Sequence, residues 1–330
     1  KYKKRDSRFA TLSTKEQIQF KNIYEKLNNI TKNQPDLVIR FPKNNYVLSM
    51  NDVIKYDVKN NFPGKRIKHY VKINGYEIYN ERDCRYKKKS VDYGVIRLKK
   101  PNQKDFTIYD FTKYNINIIL YNNGGLEDPR YFVYKDNTYI LMNGLDNNNK
   151  RNMYLYNIEN DSFCKLYISN YDIKRIKKQK NWTPYINNDK IYFIYSFSEL
   201  CVLELVDIEK GECLCIKGSP FNYNNNYKYF GSTPLIQWNY PNFIGFVHTR
   251  APWYSVPIIF DVESLEIKYL GEEIVFNNPK NINPWRGKIV QFPYNLTVDK
   301  NDIILSVEFE DKCPTLIYLD YINFCKSFSL

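Results

Sequence analysis

The sequence predicts an all-β protein, a five-bladed β-propeller with an N-terminal helical brace, on three observations. From about residue 70 the chain is a succession of short aromatic and β-branched runs broken by Asp-Asn, Asn-Asp, Gly-Glu and Glu-Ser pairs, which are strand and hairpin signals. These hairpins repeat. "PRYFVYKDNTYILM…MYLYNIENDSFCKLYI" from Pro129 aligns with "PYINNDKIYFIYSF…CVLELVDIEKGECLCI" from Pro184, "PLIQWNYPNFIGFVHT…VPIIFDVESLEIKYL" from Pro234 and "PYNLTVDKNDIILSVEF…TLIYLDYINFCKSF" from Pro293. The prolines lie 55, 50 and 59 residues apart, the period of a propeller blade of four antiparallel strands. A sandwich or barrel also has closely spaced short strands, but neither explains a proline at the same phase of every fourth strand.

Taken in order, residues 1–40 form the N-terminal extension. Within it "STKEQIQFKNIYEKLNNI" (13–30) reads as a helix: Ser13 or Thr14 caps it, Glu16 follows in the first turn, and Ile18, Ile23, Tyr24 and Leu27 share one side. Residues 41–330 form the propeller. Its degenerate first blade spans about 70–120, with "YEIYNERDCRY", "YGVIRLKK" and "DFTIYDF", and four regular blades start near 129, 184, 234 and 293.

Composition narrows the function classes. The 330 residues are 43% hydrophobic, enough for a substantial core, and no apolar run approaches the roughly 20 residues that cross a bilayer as a helix, so no membrane span is expected. Seven cysteines without CxxC spacing, and only two histidines, His69 and His248, argue against a metal site or a disulfide framework. No metal or other cofactor is expected. The cysteine usage favours an intracellular, reducing compartment, although sequons at Asn29, Asn160, Asn181 and Asn295 leave secretion open. A net charge of +13 with 31 tyrosines invites a polyanion partner. The basic runs "KYKKR" (1–5), "KKK" (87–89) and "KRIKKQK" (174–180) match no nucleic-acid motif, however, and the Lys, Asn, Ile and Tyr excess is that of an AT-rich gene. Nucleic acid is not the expected partner.

Propeller geometry says where chemistry belongs. The innermost strands surround one axis, so the segments "NERD" (80–83), "LED" (126–128), "KNWT" (180–183), "FGST" (230–233) and "VQF" (290–292) should converge at one end. They would meet the second-strand exits "SFSE" (196–199), "HTR" (248–250) and "EFED" (308–311). The resulting ring holds Glu127, Asp128, Trp182, Thr233, His248 and Asp311, with Gly124 and Gly125 easing the chain into the rim. Such a lining suits a sugar, because an aromatic face stacks on the ring and carboxylates hold hydroxyls or move protons at an anomeric centre.

"GGLEDPR" resembles the Gly-x-Glu-Asp-Pro-Arg signature of the β-mannoside phosphorylases of glycoside hydrolase family 130 and of related mannosyltransferases, which are five-bladed propellers. "FGSTPLIQWNYPNFIGFVHTRAPWYSVPIIFD" (230–261) and "VQFPYNLTVDKNDIILSVEFED" (290–311) resemble two further segments of that family in the same order, and the whole likeness covers about 125–320. The chain also looks like divergent propellers of giant viruses and eukaryotic microbes that carry a "KNWxP"-like stretch, here 180–184. The resemblance implies that Asp128 is the catalytic acid, that Asp311 binds the sugar at the cleaved position, and that His248 faces a phosphate with Tyr254 near it. The sequence departs from the family in two places. "YSFSE" stands where phosphorylases present an arginine, and Tyr294 and Asn295 replace small residues after Phe292-Pro293. Arg250, Lys180 or Arg130 would compensate for the missing arginine, and Glu127 would support Asp128.

The function expected is a carbohydrate-active enzyme acting on a β-linked mannoside-like bond with inversion, by glycosyl transfer rather than phosphorolysis. Its partners would be a sugar donor, either a nucleotide sugar or a sugar phosphate, and a glycan acceptor. The alternatives are a non-catalytic glycan-binding or structural propeller and a polyanion-binding propeller.

Overall fold

The computed structural model describes residues 39–40, 53–58, 66–83, 91–99, 103–105, 107–110, 126–146, 148, 150–172, 179–220, 229–250, 253–271, 273–276, 290–299, 302–309 and 313–320. Among them the regular structure is all β, arranged as a five-bladed propeller. The helix expected over 13–30, Gly124, Gly125 and Asp311 lie outside the described residues, as do the basic runs except Gln179 and Lys180.

Two N-terminal strands, β1 (Ile39–Arg40) and β2 (Val53–Val58), join sheets built from much later sequence. Blade 1 is β3 (Arg66–Ile73), β4 (Tyr76–Asp83), β5 (Val91–Lys99) and β6 (Thr107–Asp110). Blade 2 is β7 (Glu127–Tyr134), β8 (Asn137–Leu145), β9 (Arg151–Asn157) and β10 (Ser162–Lys165). A short β11 (Tyr167–Ile168) crosses over to edge blade 3, which comprises β12 (Thr183–Asn187), β13 (Lys190–Ser196), β14 (Cys201–Asp207) and β15 (Glu212–Lys217). Blade 4 holds β16 (Phe230–Gly231), β17 (Ile236–Asn239), β18 (Asn242–His248), β19 (Ser255–Asp261), β20 (Glu266–Leu270) and β21 (Ile274–Val275). Blade 5 is β22 (Gln291–Asp299), β23 (Asp302–Phe309) and β24 (Cys313–Asp320), completed on its outer edge by β2. Because β2 pairs antiparallel with β24, N-terminal sequence finishes the last blade and closes the ring.

The sequence makes these hairpins through its turn chemistry. Asn74-Gly75, Lys135-Asp136 and Asn188-Asp189 each hold two consecutive residues at positive φ between paired strand ends, the primed geometry that follows the right-handed strand twist. The proline phase also shows: Pro129, Pro184 and Pro293 lie in β7, β12 and β22, and Pro234 stands just ahead of β17. "NERD" is placed differently from the expectation. It ends β4, a second strand, because the charged alternation of "RIKHYVKI" hides the innermost strand β3 ahead of it.

Middle strands are buried along most of their length because both faces of each blade are covered by neighbours. Strand β8 is buried from Thr138 to Gly144, whereas the outer strand β20 alternates exposed and half-buried residues and β10 has no buried residue. The core divides into layers between adjacent blades. Leu141, Leu155, Phe193 and Leu203 fill the space between blades 2 and 3, and Ile194, Val202, Phe243 and Phe260 that between 3 and 4. Phe246, Ile259, Leu305 and Ile317 join blades 4 and 5, while Val71, Ile78, Tyr131 and Ile140 join blades 1 and 2. Tyr70, Tyr79, Ile304 and Leu316 close the circle between blades 5 and 1.

Around the axis the innermost strands are held by polar side chains, since their inward backbone groups are buried and need partners. The Tyr294 hydroxyl accepts from Tyr70 N at 2.6 Å and donates to Tyr70 O at 2.7 Å, bonding blade 5 to blade 1. Asn295 Oδ1 accepts from Tyr131 N at 3.0 Å, bonding blade 5 to blade 2. The two residues that depart from the family pattern are thus axial fasteners here. Tyr294→Phe removes both of these buried hydrogen bonds, so urea denaturation should show a loss of about 1 to 3 kcal/mol with an unchanged m-value.

Candidate active site

Of the residues singled out from the sequence, Glu127, Asp128, Arg130, Lys180, Trp182 and Thr233 lie in or beside β7, β12 and β16, and His248, Arg250 and Tyr254 lie where β18 gives way to β19. Asp128 adopts a left-handed backbone, φ 50°, and the β7–β8 register slips between Glu127 and Arg130. The bulge lifts the Asp128 carboxylate out of the ladder while Pro129 resumes the strand. Aspartate tolerates this conformation better than most residues, which suits it to the position.

Arg130 holds the bulge. Its side chain is 1% exposed, and Nε donates to Ser232 O at 2.8 Å, Nη2 to Gly231 O at 3.1 Å and to Asn181 Oδ1 at 3.4 Å, and Nη1 to the Asp128 carbonyl. Burial lowers its pKa to about 10, against the opposing pull of Asp128, so it remains charged at neutral pH. Arg130, expected at the substrate, clamps blades 2, 3 and 4 together through these bonds. Gly231 permits the close crossing: a Cβ there would lie 2.2 Å from Asn181 O.

Trp182 and Thr233 likewise lie in the packing. Trp182 is fully buried against Phe193 and Tyr195, and the Thr233 hydroxyl accepts from Phe246 N at 2.9 Å. Tyr254 is half-buried, and its N–H donates to Thr249 Oγ1 at 3.1 Å.

The charged groups gather beside Asp128. Lys180 Nζ stands 3.9 Å from Asp128 Oδ2, both side chains being less than one-fifth exposed. Burial lowers the Lys180 pKa, Asp128 and Glu127 oppose that shift, and Arg250 and Arg151 reinforce it. Arg151, which the sequence reading missed, donates to Glu127 Oε2 at 2.8 Å and to Asn143 Oδ1. Asn143, also missed, is fully buried and donates to Glu127 O at 3.0 Å and at 3.5 Å to Asp128 Oδ2. Gln179 N donates to Arg151 O at 3.0 Å, which draws the segment bearing Lys180 onto β9. Neither missed residue carried a signal of its own. The Pro129-to-Pro184 repeat directed attention to strand starts, and Arg151 and Asn143 lie at the facing ends of β8 and β9.

His248 forms the back wall. It is 1% exposed, sandwiched between Phe230 and Trp253 with ring centroids at 5.5 and 5.3 Å, and meets the edge of Phe292 at 4.9 Å. Its Nδ1 shares a hydrogen bond with Ser232 Oγ at 2.9 Å. Burial, then the charges of Arg130, Arg250 and Lys180, hold it well below the ordinary imidazole value, with Asp128 opposing. The imidazole is therefore neutral. Exposed Arg250 lies across the Phe230 face, guanidinium to centroid 4.2 Å, with Trp253 at 5.9 Å. The site thus combines one lifted carboxylate, a second neutralised by Arg151, two further cations and an uncharged histidine. It can exchange a proton through Asp128 and attract an anion. No group of three or more His, Cys, Asp or Glu side chains among the described residues is arranged to hold a metal ion. Nor does any helix among them have the length and apolarity to cross a membrane.

The fold defines the class: a five-bladed propeller of the type seen in the β-mannoside phosphorylases of glycoside hydrolase family 130. The chain superposes on a β-1,2-mannobiose phosphorylase from Listeria innocua with a TM-score of 0.54 and 11% identity, covering 89% of this chain and 96% of that one. A mannose phosphorylase from Leishmania mexicana gives 0.51 and 11%, covering 78% and 85%. In sequence the chain is 26% identical over 249 residues to beta-mannosyltransferase 3 of Candida albicans. That alignment covers 60% of this chain and 44% of the relative, so the chain spans less than half the length of the protein it matches. No protein-family model matches the sequence.

The histidine supplies a pH test. Its native pKa is depressed below the unfolded value of about 6.5, so below that pH the unfolded chain binds the extra proton. Stability contributed at this site is present above about pH 6.5 and is lost as pH falls through that value, at up to about 1.4 kcal/mol per pH unit. Urea titrations of wild type and His248→Gln from pH 7.5 to 5 should show a shallower acid loss in the variant. Parallel curves would count against a buried neutral imidazole.

Proposed function

We propose that this chain is the propeller of a carbohydrate-active enzyme that makes or breaks a β-mannoside-like bond with inversion, glycosyl transfer being the favoured direction. The observation that carries the reading is the Asp128 carboxylate, lifted by a strand bulge and set beside Lys180. In bond formation Asp128 takes the proton of the acceptor hydroxyl as that oxygen attacks the anomeric carbon, and the donor's phosphate departs with the bonding electron pair toward Lys180, Arg151 and Arg250. In bond cleavage the same carboxyl returns the proton to the glycosidic oxygen, as microscopic reversibility requires. Glu127, fixed by Arg151 and Asn143, orients sugar hydroxyls. Asp311 holds the sugar, with Tyr254 beside the phosphate and His248 as an uncharged wall. The Candida albicans relative, a mannosyltransferase by name, supports transfer over phosphorolysis, as does "YSFSE" in place of an arginine.

Thermal-shift titration with phosphate, mannose 1-phosphate and GDP-mannose should identify the donor class, followed by turnover with each donor and a mannoside acceptor. Asp128→Asn should retain the ligand-induced shift and lose about 10²- to 10⁴-fold in turnover, the usual yield of general acid–base catalysis. Equal turnover by wild type and variant would remove Asp128 from the chemistry. Ligand shifts with no turnover by either protein would point to a glycan-binding propeller instead.

A further inference from the structure

Blade 3 carries a pair of thiols unconnected with the proposed reaction. Cys201 opens β14 and Cys215 stands near the end of the neighbouring antiparallel β15, with their sulfurs 3.6 Å apart. The register of the two strands slips between Val202 and Leu203, bringing side chains that regular pairing would hold on a diagonal into contact. The two cysteines differ in environment. Cys201 is fully buried, whereas Cys215 is partly open to solvent beside Lys217. The same crossing is drawn tight by Gly218, where a Cβ would sit 2.1 Å from Leu200 O.

We propose that Cys215 and Cys201 form a peroxide-sensitive dithiol in which Cys215 is the attacking thiolate and Cys201 resolves it into an intrablade disulfide. Cys215 sulfur attacks one peroxide oxygen, the O–O bond breaks, and the second oxygen leaves and takes up a proton as water. The Cys215 sulfenic acid is then attacked by Cys201 sulfur. The S–S bond forms, the S–O bond breaks, and the hydroxide released accepts the Cys201 proton as a second water. Two thiols lose two electrons in all and one peroxide is reduced to two waters. The sulfurs need to approach by roughly 1.5 Å to reach bonding distance, a movement within reach of two side-chain rotations at a bulge. The hydrogen bond from Cys201 lowers the Cys215 thiol to about 7, so a substantial fraction is thiolate at neutral pH. The same contact, followed by burial, raises Cys201, which is therefore the proton-bearing partner. Cys164 and Cys213 are raised chiefly by burial and lack this activation.

The experiment treats the folded wild-type chain with hydrogen peroxide, blocks remaining thiols and maps peptides by mass spectrometry. A crosslink joining the Cys201 and Cys215 peptides, about 2 Da lighter than the sum of the reduced forms and reversed by dithiothreitol, is expected. In Cys201→Ser, dimedone should trap a sulfenic acid at Cys215, and in Cys215→Ser, Cys201 should stay reduced. Alkylation of Cys215 in the untreated protein should rise with a midpoint near pH 7 and move up in Cys201→Ser. Recovery of both cysteines as thiols after peroxide, or conversion of Cys215 to sulfinic acid while Cys201 remains reduced, would overturn the proposal. So would a crosslink confined to other cysteines.

Discussion

The architecture of the site depends on one buried cation. Arg130 leaves β7 and spends its guanidinium on the carbonyls of Asp128, Gly231 and Ser232 and on Asn181 Oδ1. Burying such a group costs several kcal/mol unless its donors are satisfied, and charge-assisted hydrogen bonds to carbonyls offset that cost only when the acceptors are fixed. The requirement works in both directions. The arginine needs three blades in register, and the blades acquire a common origin at the point where their innermost strands begin. The left-handed backbone of Asp128, poor in isolation, persists because its own carbonyl is one of the acceptors.

From that fixed point the electrostatics follow. Lys180, Arg151 and Arg250 gather around two carboxylates, and the neutral state of His248 follows from its burial, reinforced by the charges of Arg130, Arg250 and Lys180. A protonated imidazole there would add a further positive charge to a poorly solvated wall. The aromatic enclosure of Phe230, Trp253 and Phe292 is therefore an electrostatic device as well as a packing one, since it denies His248 the water a charge would need. The cations outnumber the carboxylates and so favour the approach of a further anion, while Lys180 stands 3.9 Å from Asp128 Oδ2.

The ring itself is closed by unlike means at different seams. Hydrophobic layers fill the gaps between blades, but close to the axis side chains of blade 5 bond backbone groups of the innermost strands of blades 1 and 2. Tyr294 and Asn295 satisfy those of Tyr70 and Tyr131. Their bulk at this position is explained by the bonds they make across blades. Asn181 and Asn295, both within glycosylation sequons, are buried and engaged in these same contacts, so neither is available as an acceptor in the folded chain.

By itself the sequence determined what is periodic and local. Strand and turn chemistry recurs every blade, so the proline phase and the paired turn residues announced a propeller. The Glu-Asp-Pro-Arg stretch stood out because it is contiguous. It could not show that β2 completes blade 5, since a pairing between strands more than 250 residues apart leaves no local pattern. Nor could it separate the roles of neighbouring residues. Asp128 and Arg130 stand two positions apart, yet one sits at a strand bulge beside Lys180 and burial commits the other to three carbonyls. Arg151 and Asn143 enter the site only through the pairing of β7, β8 and β9. Tertiary structure decided those roles, because whether a charge faces water or a carbonyl depends on the packing of several blades at once and not on its place in the chain.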